Sequence, residues 1–182
     1  VGYQNRVVDL DHHLLFIDEL GKAGVYVTGV GTSDNHWVGD WMDAAALPGR
    51  NRFHTWVFLD EPSPEGIMEQ VDNGRAFFGD PVPFLGQEPL LDLWTEHGAV
   101  MGQVFASDLD QVIHVETGYL EPGWSLVLIA DGQVIEDVDL TGSETDTVFV
   151  VDRNTHHFIR AEVRDADHDR ILVSNPLFLS LP

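Results

Sequence analysis

The residues best suited to chemistry lie in one short run, Gly29-Val30-Gly31-Thr32-Ser33-Asp34-Asn35-His36-Trp37. A carboxylate and an imidazole two positions apart, on a loop leaving a strand, can turn into one pocket. Together they offer an oxygen and a nitrogen ligand to a divalent ion such as Zn, Mn or Fe. Asp34 and His36 are therefore the candidate metal ligands, and Ser33 and Asn35 can hold them from the second shell of contacts. As a bare pattern Asp-x-His also describes an ordinary turn, so its surroundings decide its weight. The sequence has no cysteine, which excludes disulfides, thiolate zinc sites and a cysteine nucleophile. Any metal must rest on His, Asp and Glu.

Other polar residues compete for a role. His54 precedes Thr55 on a strand candidate near the expected pocket, where the alternative is ordinary packing. Arg52, with Arg50, can take an anionic group of a substrate; the alternative is a surface ion pair. His12 and His13 are neighbours on a helical stretch and point about 100° apart, so they cannot face one ion. His156-His157 falls on a turn. His168 sits among Asp165, Asp167 and Asp169 in a DADHD run that lacks the glycine and terminal glutamate of an EF-hand loop, and it reads as a polar turn. Trp37 and Trp41 suit a pocket wall or core packing.

The elements that must position these residues follow from periodicity. Leu10, Leu14, Ile17 and Leu20 recur at helical spacing, with Asp9 or Asp11 as N-cap and Gly21 and Gly24 as stop signals. The β-branched run Val25 to Val30 predicts a buried strand, which puts Asp34 and His36 just beyond its carboxyl end, where active-site loops of parallel α/β folds sit. Phe53 to Leu59 predicts a second strand. Ser63 and Pro64 open a helix with Ile67, Met68 and Val71 on its apolar face, Asn73-Gly74 ends it, and Ala76 to Phe78 is a short strand. After Pro81-Val82-Pro83 the period changes to two. Residues 90–94, 100–106, 112–116, 125–130, 134–140, 147–151, 157–164 and 171–174 predict strands, and Asp131-Gly132 is a strong hairpin signal. Phe158, Arg160, Glu162 and Arg164 alternate with Ile159, Ala161 and Val163, giving one apolar and one charged face. The expectation is α/β followed by all-β, with domains at 1–82 and 83–182 and an antiparallel sandwich in the second.

With these elements around it, the chain resembles the closing section of the PHP (polymerase and histidinol phosphatase) family, and most closely its CehA/McbA-like hydrolase branch. The likeness rests on Gly31 to His36, Thr55-Trp56-Val57, Ser63-Pro64-Glu65, Gly74-Arg75 and Asp80-Pro81. It extends to Arg160 through Asp165 and to Ser174-Asn175-Pro176-Leu177. The resemblance implies the end of a (β/α)7-type barrel followed by the sandwich. It also implies a di- or trinuclear metal site, hydrolysis of phosphoesters, amides or carbamates by a metal-bound hydroxide, and Asp34 and His36 as metal ligands. The family's N-terminal H-x-H element and its middle Glu and His ligands have no counterpart here, because His12-His13 is not H-x-H.

Composition narrows the partners. The formal charge is −22, from 31 acidic and 9 basic residues, with Lys22 the one lysine. That field repels phosphate backbones and anionic lipid, so neither nucleic acid nor a membrane surface is expected. An Asp-rich, Lys-poor surface suits a high-salt habitat, and it also fits a plain Arg-over-Lys bias. No apolar run approaches the roughly 18 residues that span a bilayer. The start, Val1-Gly2-Tyr3-Gln4-Asn5-Arg6, has neither an initiator Met nor a signal-peptide pattern and reads as the middle of something; the compartment stays open. The expected function is therefore part of a metal-dependent hydrolase, inactive by itself. A longer chain or a partner polypeptide would supply the missing barrel half, and the substrate would be a small ester or amide. The alternative is a non-catalytic β-sandwich module binding a carbohydrate or a protein.

Overall fold

Leu10, Leu14, Ile17 and Gly21 form one stripe of the first helix, α1 (Gln4–Lys22), and Leu14 and Gly21 on that stripe are buried. The computed structural model describes residues 4–32, 53–84, 87–106, 110–152 and 155–179. Gly24, at φ +73, ends α1 as its sequence suggests: its N–H donates to the Gly21 carbonyl, and Val25 N–H donates to that of Leu20. Residues 25–32 then run without regular pairing. The expected strand at 25–30 does not form.

Next come β1 (His54–Val57), α2 (Pro64–Asp72) and β2 (Ala76–Gly79). Ser63 caps α2 by accepting from Gly66 N–H at 3.0 Å, and Pro64 occupies its first turn, where a missing N–H costs nothing. A short 3-10 turn at Val82–Phe84 leads into β3 (Leu90–Thr95), β4 (Val104–Phe105), β5 (Gln111–Gly118) and β6 (Ser125–Ala130). The chain continues through β7 (Gln133–Asp139), β8 (Glu144–Val151), β9 (Phe158–Arg164), β10 (Arg170–Ser174) and β11 (Leu177–Leu179). Asp131 and Gly132 join β6 to β7 with φ of 50° and 78°, the left-handed pair that a tight hairpin requires.

The pairing overturns the expected barrel end followed by a sandwich. β1 and β2 are antiparallel, with His54 opposite Gly79 and Val57 opposite Ala76. β2 then lies antiparallel to β10, Leu172 opposite Gly79 and Ser174 opposite Phe77. Strands on either side of residues 82 and 83 thus share one sheet. The physical reason is that a strand-helix-strand pattern does not encode direction. A helix can carry the chain back to start a parallel neighbour, or serve, as α2 does, as the link of a wide hairpin.

Among the described residues there are two sheets. In the larger, the order runs β1-β2-β10-β9, with β6 and then β7 on the far side of β9. β11 continues along β9 beyond β10 and carries β4 parallel to it. The smaller sheet is β3-β5-β8, antiparallel throughout. Leu91, Leu93, Ile113, Val115 and Phe149 from the small sheet pack with Phe77, Ile159, Ala161, Val163, Leu172 and Leu177 from the large one to form the main core. A second cluster, Leu14, Phe78 and Val173 with Leu10 and Phe53, lies where α1 meets the large sheet. The small sheet, the large sheet and α1 make three layers. Among the described residues no helix is long and apolar enough to cross a membrane.

The charged face of β9 does not look onto water. Arg160 is 4% exposed and Glu162 fully buried. Arg160 donates to Asp18 of α1 through Nε (2.8 Å) and Nη2 (2.9 Å), and through Nη1 to Glu162 at 2.7 Å. Arg164 and Arg170 complete the shell of Glu162, and Arg170 also reaches Asp11. Three guanidinium and three carboxylate groups thus form a neutral network under a helix of a strongly acidic chain.

Candidate functional site

Gly29 and Gly31 are two anchor points shortly before the Ser33–His36 run, which lies outside the described residues. Gly31 is held by Thr55 of β1, whose hydroxyl accepts from Gly31 N–H and donates to the Gly31 carbonyl, both at 2.9 Å. Gly29 is held by Asn175: its Oδ1 accepts from Gly29 N–H at 2.6 Å, and its Nδ2 donates to the carbonyls of Gly29 (3.0 Å) and Ala76 (2.7 Å). Both glycines are needed for close approach. A Cβ on Gly31 would stand 3.0 Å from the His54 carbonyl oxygen and 2.9 Å from Phe78 Cβ. One on Gly29 would meet Phe78 Cε1 at 2.9 Å and Ile17 Cδ1 at 3.4 Å.

Asn175 can do this because of its place in the fold. β10 and β11 lie end to end along β9, and Pro176 breaks the strand between them because it has no N–H to give to a ladder. At that break the Asn175 side chain turns to Gly29 and Ala76 rather than lining a ladder. It is 1% exposed and every polar atom of its amide is engaged, as a buried amide requires.

His54 begins β1 beside this anchorage. Burial pushes its imidazole pKa down, with the Asp80 carboxylate pulling the other way, so the neutral ring with a lone pair prevails at pH 7. The remaining expected site residues, Asp34, His36, Ser33, Asn35 and Arg52, lie outside the described residues. So do Arg50, Trp37 and Trp41. Among the described residues no three His, Asp or Glu side chains are arranged to hold a metal ion. Of the expected site residues, His54 falls among the described ones, and its carbonyl lies beside the Gly31 anchor.

The other candidate residues take the following places. His12 and His13 are exposed on α1. In the DADHD run Asp165 Oδ1 accepts from the N–H groups of Asp167 and Asp169 at 3.0 and 2.9 Å, closing a polar turn with His168 at φ 65°. His156 and His157 both approach Asp131 Oδ2, at 3.6 and 3.2 Å, while Asp131 Oδ1 accepts from the backbone of His157 and Phe158. This carboxylate ties the β6–β7 hairpin to the start of β9.

Sequence reasoning missed three features. Asn175 and Thr55 were noticed for their resemblance and given no task. Asn175 beside Pro176 in an apolar run was the available signal, since a polar residue there must find buried partners. His114 was not singled out at all: its ring stacks on Trp94 at 3.8 Å and its Nδ1 lies 3.1 Å from Asp146, on the outer face of the small sheet. The described basic side chains, Lys22, Arg75, Arg160, Arg164 and Arg170, each have a carboxylate partner. No family model matches the chain, and searches of curated proteins and of solved structures return no significant match.

Proposed function

We propose that this chain is part of a metal-dependent hydrolase of the phosphoesterase or amidohydrolase kind, to which it contributes Asp34 and His36 as one pair of metal ligands. The anchorage of Gly31 carries this reading. Two positions before Ser33-Asp34-Asn35-His36, both backbone groups of Gly31 are bonded to Thr55, and a Cβ on Gly31 would stand 3.0 Å from the His54 carbonyl oxygen. Hydrogen bonds of this kind support a neighbouring functional segment by restricting where it starts. The likeness of Gly31 to His36 and Thr55-Trp56-Val57 to the PHP hydrolases points the same way. A hydrolytic centre needs at least three protein donors and an open position, so further donors come, in this proposal, from additional polypeptide, and the substrate is a small ester or amide.

Titration of the 182-residue chain with Zn²⁺ or Mn²⁺, repeated with Asp34→Ala and His36→Ala, tests the proposal. Uptake that is weak in the parent and lost in both variants supports it. Equal uptake by all three proteins removes the pair from the site. In a second reading the chain is a binding module for a carbohydrate or protein, and an open depression of about 450 Å³ lined by Leu90, Glu116, Tyr119, Glu144 and Asp146 among others would be the place to look for its ligand. It gains if the pair is removed.

A further inference from the structure

Among the described residues five strands stand at the rim of a sheet, β1, β4, β7, β3 and β8, and four of them are poorly suited to taking on a neighbour. β1 and β4 are four and two residues long. β7 carries Glu136, Asp137 and Asp139, and its pairing with β6 slips between Leu128 and Ile129. Along β3 the chain folds back, with Thr95 N–H donating to the Ala99 carbonyl and Met101 N–H to that of Leu93. Short length, charge, a bulge and a covering segment are the usual protections of a sheet edge. β8 differs. Its eight residues run in unbroken register along β5, from Glu144 opposite Gly118 to Val151 opposite Gln111, and among the described residues no strand pairs with its other side. Alternate N–H and C=O groups of β8 therefore face outward in the plane of the sheet with no ladder to join.

The outward-facing side chains of β8 divide into two halves. Val148 and Val150 are 52% and 73% exposed, and Val150 is the most exposed large apolar residue among the described ones. Glu144 and Asp146 occupy the other half, with Glu116 of β5 opposite Asp146. Asp146 meets His114 Nδ1 and is still about half-exposed. The described basic side chains pair with other carboxylates, so this end of the strand keeps its negative charge.

We propose that the free edge of β8 docks an extended segment of another polypeptide as a fourth strand of the small sheet. Apolar residues of that segment lie against Val148 and Val150, and arginine or lysine lies against Glu144 and Asp146. In this mode main-chain hydrogen bonds supply the pairing and alternate side chains choose the partner. The carboxylates do the choosing, because like charges directly opposite one another across a sheet repel. A second copy of this chain fits less well: it brings a further charge of −22, and its own β8 carries the same two carboxylates. The β8 edge involves neither Asp34 nor His36, so its role stands apart from the hydrolase reading.

The experiment uses the full 182-residue chain and two peptides with blocked ends. The first, Thr-Val-Thr-Val-Thr-Arg-Thr-Arg, can lie antiparallel to β8 with its valines opposite Val150 and Val148 and its arginines opposite Asp146 and Glu144. The second has glutamate in place of both arginines. Amide hydrogen exchange in β8 is followed at about 1 mM peptide, which half-fills a site of that dissociation constant, and solution mass is measured alongside. The first peptide should slow exchange at alternate β8 amides, the set facing the free edge, and leave the set bonded to β5 unchanged. The second should not bind. Combining Glu144→Gln with Asp146→Gln should weaken the first peptide by about fivefold or more, the loss of two exposed ion pairs. Absence of the alternating protection, or equal protection by both peptides, would overturn the proposal. Protection of the same amides before any peptide is added, in a monomer or a dimer, would show the edge already filled and would overturn it equally.

Discussion

Asp18 of α1 and Arg160 of β9, 142 residues apart, meet through two charge-assisted hydrogen bonds of 2.8 and 2.9 Å with both side chains at most 5% exposed. This pair docks the helix layer on the large sheet. Burial opposes charge on Arg160, but Asp18 and Glu162 outweigh it and raise its pKa, so the guanidinium stays charged at every accessible pH.

Removing one partner should therefore leave a buried, partly uncompensated charge. We expect Asp18→Ala to lower unfolding free energy by about 3 kcal/mol or more, and Asp18→Leu combined with Arg160→Met to recover much of that loss. Urea unfolding measures both. A loss below about 1 kcal/mol in the single variant, the range of exposed pairs, would show that the pair does not hold α1 in place.

Glu162 makes stability depend on pH. Burial alone would push its carboxyl up, but Arg160, Arg170 and Arg164 outweigh burial and hold it below its ordinary value of 4.5. A carboxylate lowered in the folded state contributes stability that is fully present above the unfolded value and is lost as pH falls through the folded one. The thermal midpoint of the parent should thus fall steeply below pH 4.5. Glu162→Gln should start lower at pH 7 and show a shallower decline. Parallel curves from pH 7 to pH 3 would exclude this linkage.

The register of β2 on β10 depends on Gly79. A Cβ there would stand 2.0 Å from the Ile171 carbonyl oxygen and 2.9 Å from Leu172 Cα, both backbone atoms of the neighbouring strand. Gly79→Ala should cost at least the roughly 1–3 kcal/mol of an overpacked core. Gly98→Ala, where φ is +84 and nothing lies within 4 Å, should cost only the roughly 1–2 kcal/mol of a left-handed backbone. Denaturant midpoints in the opposite order would contradict the β2–β10 pairing.

Activity is the fourth expectation. With Asp34 and His36 as its contribution, the chain by itself should show no metal-dependent phosphodiesterase or esterase turnover in Mn²⁺. Turnover by a monodisperse monomer, abolished by His36→Ala, would show that the 182 residues are a complete enzyme and that no further donors are needed.

Much of the local structure was legible. Ser63-Pro64 marked the start of α2, Gly24 the end of α1, and Asp131-Gly132 the β6–β7 turn, because each depends on backbone preferences of residues a few positions apart. The alternation in β9 was legible too, but its meaning was not. Arg160, Glu162 and Arg164 read as a charged face, and no local pattern announces that Arg160 meets Asp18, a partner 142 residues away. The site divides likewise. Thr55 and Asn175 were visible as residue types, and their tasks at Gly31 and Gly29 were not.

By itself the sequence determined the composition-level chemistry: a chain of net charge −22 without thiols, with strands, helix ends and turns set by side chains acting on their own backbone. Only the tertiary structure decided which strands became neighbours. A strand presents the same N–H and C=O edge to any partner, so β2 could have joined a parallel barrel as readily as it joined β10. The choice was made by what the whole sheet could bury: Phe77 on one face against the small sheet, and Phe78 on the other under α1 and the glycine run held by Thr55 and Asn175.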